Sequence, residues 1–279
     1  MLIRTLKSAP RKIVFTEGHD ARILEAAARL KKEGFLTPIL IGNVETVRKN
    51  AKDGGFDIEG LEIIDPATFP RMDEMVRTMT ELRKGKMTEE QCRDALQKGN
   101  YFGTMLVKMG CADALLGGAT YSTADTVRPA LQIIKTKPGN KIVSSCFILS
   151  RPGKDGTNEL LAMGDCAINL NPDEDQLVEI GIETARCAKI FGIDPKVAYL
   201  SYSTKGSGKG DTVDKVRNAC DKAKAAAPEL AIDGEMQFDT AVSPIVGQLK
   251  FPGSKVAGYA NTFIFPDINA GNIGYKIAQ

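Results

Sequence analysis

A chain of 279 residues, of which 43% are hydrophobic, exceeds the usual size of a single domain and can bury a sizeable core. Its 37 Lys and Arg residues nearly balance its 35 Asp and Glu residues, which argues against nucleic acid or an anionic membrane as the main partner. No apolar run reaches membrane-spanning length and no signal-peptide pattern opens the chain, so we expect a cytoplasmic protein.

The cysteines and the histidine limit the kinds of metal site and catalytic site that the chain can form. The six cysteines lie far apart and form no C-x-x-C pair, which favours reduced packing thiols over a disulfide framework or a zinc site. His19 is the only histidine, and no triad or H-E-x-x-H pattern surrounds it. The sequence therefore predicts no metal site.

The first half of the chain alternates strands with helices, as turn residues and apolar periodicity indicate. Asp20 is the expected N-cap of a helix that Gly34 ends, and Thr88 with Gln91 forms a predicted capping box. The predicted strands are 12–15, 38–41, 61–64 and 113–116, and the predicted helices are 21–33, 44–50, 72–83, 88–96, 101–109 and one that runs to about residue 134.

A polar, turn-rich segment, 135–140, places a domain boundary by composition alone, and we predict domains 1–138 and 139–279. In the second half, 141–150 and 160–163 form a predicted hairpin across the loop 152–158. Further strands are predicted at 196–200, near 232–234 and at 262–265, with helices at 173–191, 211–227 and from near Gly271 to the last residue.

Alternation of this kind predicts an α/β fold with mainly parallel sheets, whose ligands gather at the carboxyl ends of strands. Four turns rich in glycine or hydroxyl groups fall at such ends. They are 17–22, 117–128, 201–210 and 266–272.

The stretch 117–130 has the pattern of an anion site. Two glycines follow a short strand, and a helix then begins at a cluster of hydroxyls, so that unpaired N–H groups and a positive dipole end point outward. Ser122, Thr123 and Thr126 add donors, and the guanidinium of Arg128 can hold a phosphate or carboxylate at two points. A capping box of Ser122 and Asp125 explains the same residues without a ligand, and both interpretations can hold together.

The loop 201–210 resembles a phosphate loop but does not match Walker A, because Ser203 replaces a glycine and Gly210 replaces the Ser or Thr that follows the lysine. It does not match G-x-G-x-x-G either, because Asp211 stands where the third glycine would follow Gly206 and Gly208. Lys205, Lys209 and the hydroxyls suit an anionic ligand, whereas the glycines alone predict a mobile loop. In the segment 233–235, two carboxylates flank a glycine, a pattern that is more often solvated surface than an acid and base pair.

Six parts of the chain follow one another in the order of a known family's motifs: 17–22, 101–105, 122–136, 200–207, 233–237, and 260–267 with 271–273. They closely resemble phosphate acetyltransferase (phosphotransacetylase) and span nearly the whole chain. The resemblance implies reversible acetyl transfer between acetyl phosphate and coenzyme A. It also implies two three-layer α/β domains of the isocitrate and isopropylmalate dehydrogenase type with a cleft between them, a homodimer, coenzyme A as co-substrate, and neither a prosthetic group nor a catalytic metal.

Residue roles carry over from the family only where its motifs match. Arg128, Arg83 and Arg22 match arginines tied to substrate or coenzyme A binding, although Tyr121 stands where many relatives have His. We expect the hydroxyl cluster and Arg128 to line one wall of the cleft, with the loop 201–210 facing them. The complete set of expected substrate-binding residues is Ser122, Thr123, Thr126, Arg128, Arg83, Arg22, Ser201, Ser203, Lys205 and Asn272.

The family's chief catalytic residues have no match in this sequence. Family members continue past the position of Gln279 through an Asn-Asp-Leu-Ser-Arg-Gly segment and a later Asp, which supply the base and the groups that stabilise the reacting acyl phosphate. We therefore assign no catalytic residue within the chain. We expect the 279-residue chain to bind coenzyme A weakly or not at all, and to turn over acetyl phosphate several orders of magnitude more slowly than a version extended to family length. That continuation also completes the first domain of the family.

Three functions compete at this point. The first is acetyl transfer from acetyl phosphate, and the second is a catalytically silent module that binds coenzyme A or acetyl-CoA. The third is a different enzyme of the same fold, either a phosphate butyryltransferase or a metal-dependent hydroxyacid dehydrogenase. The dehydrogenase would need clustered aspartates and a nucleotide-loop signature, and the sequence has neither.

Overall fold

The computed structural model describes residues 2–153 and 156–279. The chain divides into two compact units, Met1–Lys135 and Thr136–Gln279, and the division falls in the polar segment on which the predicted boundary rests. Both units are mixed α/β structures, so the predicted fold class is confirmed. No helix in the described part of the chain is long and apolar enough to cross a membrane.

The sheet of the first unit is parallel, with strand order β3-β2-β1-β4. Val14 pairs with Ile39 on one side and with Leu115 on the other. The parallel order brings the carboxyl ends of all its strands to one edge, where a ligand is expected. The strands are β1 (Lys12–Phe15), β2 (Thr37–Ile41), β3 (Glu62–Ile64) and β4 (Ala114–Leu116).

Helices cover both faces of this sheet because successive strand residues point to opposite sides. Phe15 and Leu40 pack with α2 and α3, whereas Val14 and Ile39 pack with α4, α5 and α6. The predicted Asp20 cap, the Gly34 end and the Thr88–Gln91 capping box are all confirmed. The helices are α1 (Leu2–Ser8), α2 (Ala21–Glu33), α3 (Val44–Gly54), α4 (Met72–Leu82), α5 (Glu89–Ala95), α6 (Gly99–Lys108) and α7 (Thr123–Pro129), of which α1 was not predicted.

The prediction of one regular helix to about residue 134 was wrong. The α-helix α7 ends at Pro129, and Ala130–Ile134 forms a wider π-helical turn in which the Lys135 N–H donates to the Ala130 carbonyl at 2.9 Å. Proline has no N–H for the carbonyl four residues earlier, which here belongs to Asp125. The side-chain amide of Asn100 donates to that carbonyl instead, at 2.8 Å.

The sheet of the second unit has the order β5-β6-β9-β7-β8, and β5 and β6 form its antiparallel edge, which confirms the predicted hairpin. Residues 154 and 155 of the predicted hairpin loop lie outside the described residues. The remaining strand pairs are parallel. The strands are β5 (Phe147–Pro152), β6 (Asn158–Gly164), β7 (Lys196–Leu200), β8 (Ala231–Met236) and β9 (Thr262–Ile264).

Both faces of this second sheet are also covered. Val197 and Tyr199 pack with α8 and α9, whereas Ala198, Leu200 and Phe263 pack with residues of α10 and α12. The helices are α8 (Glu174–Ile190), α9 (Asp211–Ala226), α10 (Phe238–Val242), α11 (Pro244–Lys250) and α12 (Ile268–Ala278).

Two predictions for the second unit were wrong, and two helices were missed. The first strand begins at Phe147 rather than at Lys141, whose N–H donates to the Glu179 carboxylate at 3.0 Å instead of joining a sheet. Helices α10 and α11 were not predicted. Helix α12 begins at Ile268 rather than near Gly271, because Asp267 accepts from the Ala270 N–H and caps it.

Candidate active site

Glu17, which directly follows β1 and Thr16, organises the carboxyl edge of the first sheet. Its side chain is fully buried. One carboxylate oxygen accepts from the N–H groups of Gly118 and Ala119 at 2.9 and 3.1 Å. The other accepts from the Thr120 hydroxyl at 2.6 Å and from the Thr120 N–H. Both oxygens are therefore saturated by the loop that leads into α7.

This contact corrects the predicted anion site. Burial raises the pKa of Glu17, but the hydrogen bonds from Thr120, Ala119 and Gly118 outweigh it and hold the pKa below its ordinary value. Glu17 is thus held as an anion, and the backbone N–H groups of the loop already bind a carboxylate of the protein itself. They are not free for a substrate.

The start of α7 is closed by Ser122. Its hydroxyl oxygen accepts from the Asp125 N–H at 3.1 Å and its O–H donates to the Asp125 carboxylate at 2.7 Å. The Thr126 hydroxyl donates to the Ser122 carbonyl at 3.1 Å. The capping interpretation therefore holds, and Ser122, Thr123 and the guanidinium of Arg128 remain exposed for a ligand.

The three predicted arginines all contact the stretch 119–132. Arg128 donates to Asp125 at 3.2 Å and is 55% exposed. Arg22 grips Asp20 at two points, lowers the pKa of Asp20 to about 2, and donates to the Ala119 carbonyl at 2.8 Å. Arg83 reaches the Gln132 carbonyl at 3.5 Å, and its buried Nε has no hydrogen-bond partner among the described residues.

A small cavity of about 270 Å³ opens at the carboxyl ends of β1, β2 and β3, and sequence reasoning did not single it out. Tyr121 lies at its wall, and burial together with the negative charge of Glu17 raises the pKa of its hydroxyl. The polar side chains at this cavity are Thr16, His19, Asn43, Asp65, Gln97 and Tyr121. Asn43 and Asp65 are bound to each other at 3.0 Å.

A second buried carboxylate, Glu235 in β8, organises the loop 201–210 of the second unit. One oxygen, Oε1, accepts from the Ser203 hydroxyl at 2.9 Å and from the Gly206 N–H at 2.7 Å. The other oxygen, Oε2, is buried and has no hydrogen-bond partner among the described residues. The expectation of solvated carboxylates at 233–235 was therefore wrong, since Glu235 is fully buried and Asp233 pairs with Lys224 at 2.6 Å.

The other predicted residues of this loop have distinct positions. The Ser201 hydroxyl accepts from the Ser203 N–H at 3.1 Å, and Ser203 itself is fully buried. Lys205 is exposed, and its ammonium lies 4.7 Å from the centre of the Phe251 ring. It borders a cavity of about 510 Å³ that Asp233, Lys250 and Ser254 also line.

A third buried carboxylate, Asp165, follows β6. It accepts from the N–H groups of Ala167 and Asn169 at 3.0 and 2.9 Å and from the Ser145 hydroxyl. Burial raises its pKa, but these hydrogen bonds outweigh the burial and hold the pKa below its ordinary value. Asn272, a predicted substrate contact, donates to the neighbouring Cys166 carbonyl at 3.2 Å.

Sequence reasoning missed the roles of these three carboxylates. A carboxylate at a strand end next to a glycine, as in 17–18 and 234–235, was the available signal. No group of His, Cys, Asp and Glu that could hold a metal ion occurs among residues 2–153 and 156–279. The expectation that the loop 201–210 faces α7 stays a prediction.

The chain is similar to known proteins along its whole length. The family described as phosphate acetyl/butaryl transferase matches residues 1–279. Phosphate acetyltransferase of Bacillus subtilis (strain 168) is 53% identical over 268 residues, which cover 96% of this chain and 81% of that protein. A phosphotransacetylase from Streptococcus pyogenes aligns with a TM-score of 0.93 at 51% identity, and EutD phosphotransacetylase from Staphylococcus aureus with 0.89 at 49%. Both alignments cover 100% of this chain and 85% of the other.

Proposed function

The chain belongs to the phosphate acetyl/butyryl transferase family, and we propose that it transfers an acetyl group reversibly between acetyl phosphate and coenzyme A. The observation that carries this function is the match along the whole chain, with about half of the residues identical to proteins named phosphate acetyltransferase or phosphotransacetylase. The enzyme class is therefore that of an acyltransferase.

In the reaction, the thiolate sulfur of coenzyme A attacks the carbonyl carbon of acetyl phosphate. A carbon–sulfur bond forms, the bond from that carbon to the phosphate oxygen breaks, and inorganic phosphate leaves. The thiol has an ordinary pKa of about 8.5, so its proton must pass to a base or to water before attack. Holding both substrates in one orientation removes much of the entropic part of the barrier.

We assign the phosphate of acetyl phosphate to α7. Thr123 presents a hydroxyl at its exposed start, and Arg128 presents a guanidinium whose fork matches a phosphate. The Ser122 hydroxyl donates to Asp125 and must leave that carboxylate before it can donate to a phosphate. Arg22 and Arg83 contact the chain on either side of this helix and add positive charge. The Glu17 contact supports the assignment, because it fixes the loop from which α7 begins.

Coenzyme A is a co-substrate in this proposal, and neither a prosthetic group nor a catalytic metal ion is required. We assign its contacts to Ser201, Lys205 and Asn272 in the second unit. Ser203, which was also expected to bind substrate, is fully buried and donates its hydroxyl to Glu235, so it supports the loop instead. A cytoplasmic homodimer completes the proposal by analogy with the family.

Substitution of Arg128 tests the phosphate assignment. Arg128→Lys keeps the charge but loses the fork, so we expect acetyl phosphate to bind more weakly by about 1.5 to 3 kcal/mol. Calorimetry with acetyl phosphate measures this change, and Arg29→Lys, a substitution in α2, is the matched control. If Arg128→Lys and the native chain bind acetyl phosphate equally well, the residues at the start of α7 only cap the helix and do not bind the phosphate.

The function is tested by thioester formation from acetyl phosphate and coenzyme A, with butyryl phosphate as a second acyl donor. Faster reaction of acetyl phosphate supports the proposal, and preference for butyryl phosphate would assign the other activity of the family. Binding of coenzyme A without turnover of either donor would identify a silent binding module.

A further inference from the structure

We propose that Glu235 is a positioning residue for coenzyme A: it holds the loop 201–210 in the shape that presents Lys205 to a phosphate group of the nucleotide. This inference rests on the proposed acetyl transfer. Glu235 itself is buried and touches no substrate.

Glu235 contacts three residues of the loop, which are Ser203, Lys205 and Gly206. Its Oε1 accepts from the Ser203 hydroxyl at 2.9 Å and from the Gly206 N–H at 2.7 Å. Its backbone carbonyl accepts from the Lys205 N–H at 3.2 Å. The Ser203 oxygen in turn accepts from the Gly208 N–H at 3.0 Å, so the whole turn closes around one carboxylate.

Lys205 has a backbone conformation that requires this support. Its φ of 50° lies in the left-handed region, which a non-glycine residue adopts at an energetic cost. The contacts on both sides, at Ser203 and Gly206, fix this conformation and direct the side chain over the ring of Phe251, 4.7 Å from its centre. Without the Glu235 carboxylate, the bonds to Ser203 and Gly206 are lost and only the backbone bond at Lys205 itself remains of the three contacts, so we expect Lys205 to leave this conformation more readily.

The position of Lys205 suits a nucleotide phosphate. The bordering cavity of about 510 Å³ is in the range of cofactor sites, and it is larger than acetyl phosphate needs. In the described part of the chain Lys205 takes part in no salt bridge, whereas the other lysine at this cavity, Lys250, is paired with Asp239 at 2.9 Å. Lys205 is thus the available cation for a ligand that carries several phosphates.

The unpartnered oxygen of Glu235 supports a functional reason for the residue. A buried carboxylate oxygen without a partner destabilises the fold, and a packed apolar side chain would avoid that cost. Proteins leave a buried polar atom without a hydrogen-bond partner mainly at functional sites, where another gain offsets the loss of stability. Here the gain is the shape of the loop.

The test is steady-state kinetics of thioester formation, with each substrate varied in turn, on Glu235→Ala, Lys205→Gln and the double variant. We expect Glu235→Ala to raise the KM for coenzyme A by about tenfold or more, because it removes both hydrogen bonds to the charged Oε1, with little change in kcat or in the KM for acetyl phosphate. Lys189→Gln, at an exposed position on α8, is the control and leaves both KM values unchanged.

Two further readouts separate positioning from general stability. Glu235→Gln keeps an oxygen acceptor for Ser203 and Gly206, so it restores most of the affinity for coenzyme A. If Glu235 acts through Lys205, the double variant binds coenzyme A no more weakly than Lys205→Gln alone. Amide hydrogen exchange at Lys205 and Gly206 rises in Glu235→Ala and not in Glu235→Gln.

Failure of the Glu235 inference and failure of the proposed acetyl transfer give different results. Calorimetry with coenzyme A measures the positioning effect even if the native chain forms no thioester, and in that case only the acetyl transfer is wrong. An unchanged KM and affinity for coenzyme A in Glu235→Ala would overturn the positioning role. If Glu235→Ala does not fold, Ser203→Ala removes the contact from the loop side, and equal rises in both KM values would then contradict the inference.

Discussion

Glu17 in the first unit and Glu235 in the second hold loops in the same manner, but with different completeness. Both are fully buried carboxylates at strand ends, and both accept from backbone N–H groups of a glycine-containing loop. Glu17 has partners on both oxygens. Glu235 has partners on Oε1 alone, and its Oε2 has none among the described residues.

The difference indicates how each loop is used. Four donors bind the Glu17 carboxylate and hold the loop that leads into α7 at both carboxylate oxygens. Glu235 holds the loop 201–210 with fewer hydrogen bonds, and its buried Oε2 destabilises the fold. We therefore expect the loop 201–210 to be displaced more easily than the loop that leads into α7. A strained, exposed lysine lies on the second loop, whereas the first presents the capped start of a helix.

The largest expected effect is on stability. Glu17→Ala leaves three N–H groups and one hydroxyl without their acceptor, and we expect it to lower the free energy of unfolding by about 3 to 5 kcal/mol. Glu235→Ala removes fewer bonds and one unpartnered oxygen, so its cost is smaller, about 1 to 3 kcal/mol. Urea unfolding measures both, with the exposed Glu25→Ala as control. Equal losses at the two sites would show that the two carboxylates stabilise the protein to the same extent despite the unpartnered Oε2 of Glu235.

Substitution by glutamine tests the same difference between Glu17 and Glu235 with a smaller change of the side chain. In Glu17→Gln the new amide NH₂ group must face N–H or O–H donors, whichever way it is turned, and we expect a loss of about 1 to 3 kcal/mol. In Glu235→Gln the NH₂ group takes the place of the unpartnered Oε2, so the cost stays below about 1 kcal/mol. The check is the difference in unfolding free energy between the two variants at neutral pH. A larger loss at Glu235 would show that Oε2 is stabilised by a contact of its own.

The pH dependence of stability gives a further prediction. The pKa of Glu17 is lowered in the folded chain, because its hydrogen bonds outweigh burial. Its contribution is therefore complete above the ordinary glutamate pKa of about 4.3 and is lost as the pH falls through the lower folded value. Native chain should lose more unfolding free energy than Glu17→Gln between about pH 7 and about pH 3. Parallel pH curves would show that Glu17 does not titrate below its ordinary value.

The sequence predicted most elements but not the internal carboxylate contacts. Strand and helix signals are local, so the strand 12–15 and the helix 21–33 have the predicted bounds. Glu17 and Gly118 lie about a hundred positions apart, and only the parallel pairing of β1 with β4 brings them together. The glycines at 117 and 118 indicated that an anion approaches this backbone, but no pattern along the chain could identify Glu17 as that anion.

The candidate site shows the same limit. The predicted hydroxyls and Arg128 lie at the start of α7 and on it, and Arg22 and Arg83 contact the chain beside it, whereas the roles of these residues in substrate binding stay predictions. The end of α7 was misjudged, although Pro129 was visible in the sequence. The interruption is tolerated because a distant residue, Asn100, supplies the missing donor.

That replacement leads to the smallest expected effect, a single neutral hydrogen bond behind α7. Asn100→Ala removes the 2.8 Å bond to the Asp125 carbonyl, and we expect a loss of about 1 to 2 kcal/mol in the free energy of unfolding. Pro129→Ala returns an N–H at the position from which a regular helix would serve the same carbonyl. In the double variant the two changes therefore compensate, and its loss should be smaller than the sum of the single losses by about 0.5 to 1 kcal/mol. The exposed Asn218→Ala is the control, and strictly additive losses would mean that Asn100 stabilises the protein through its packing and not through Asp125.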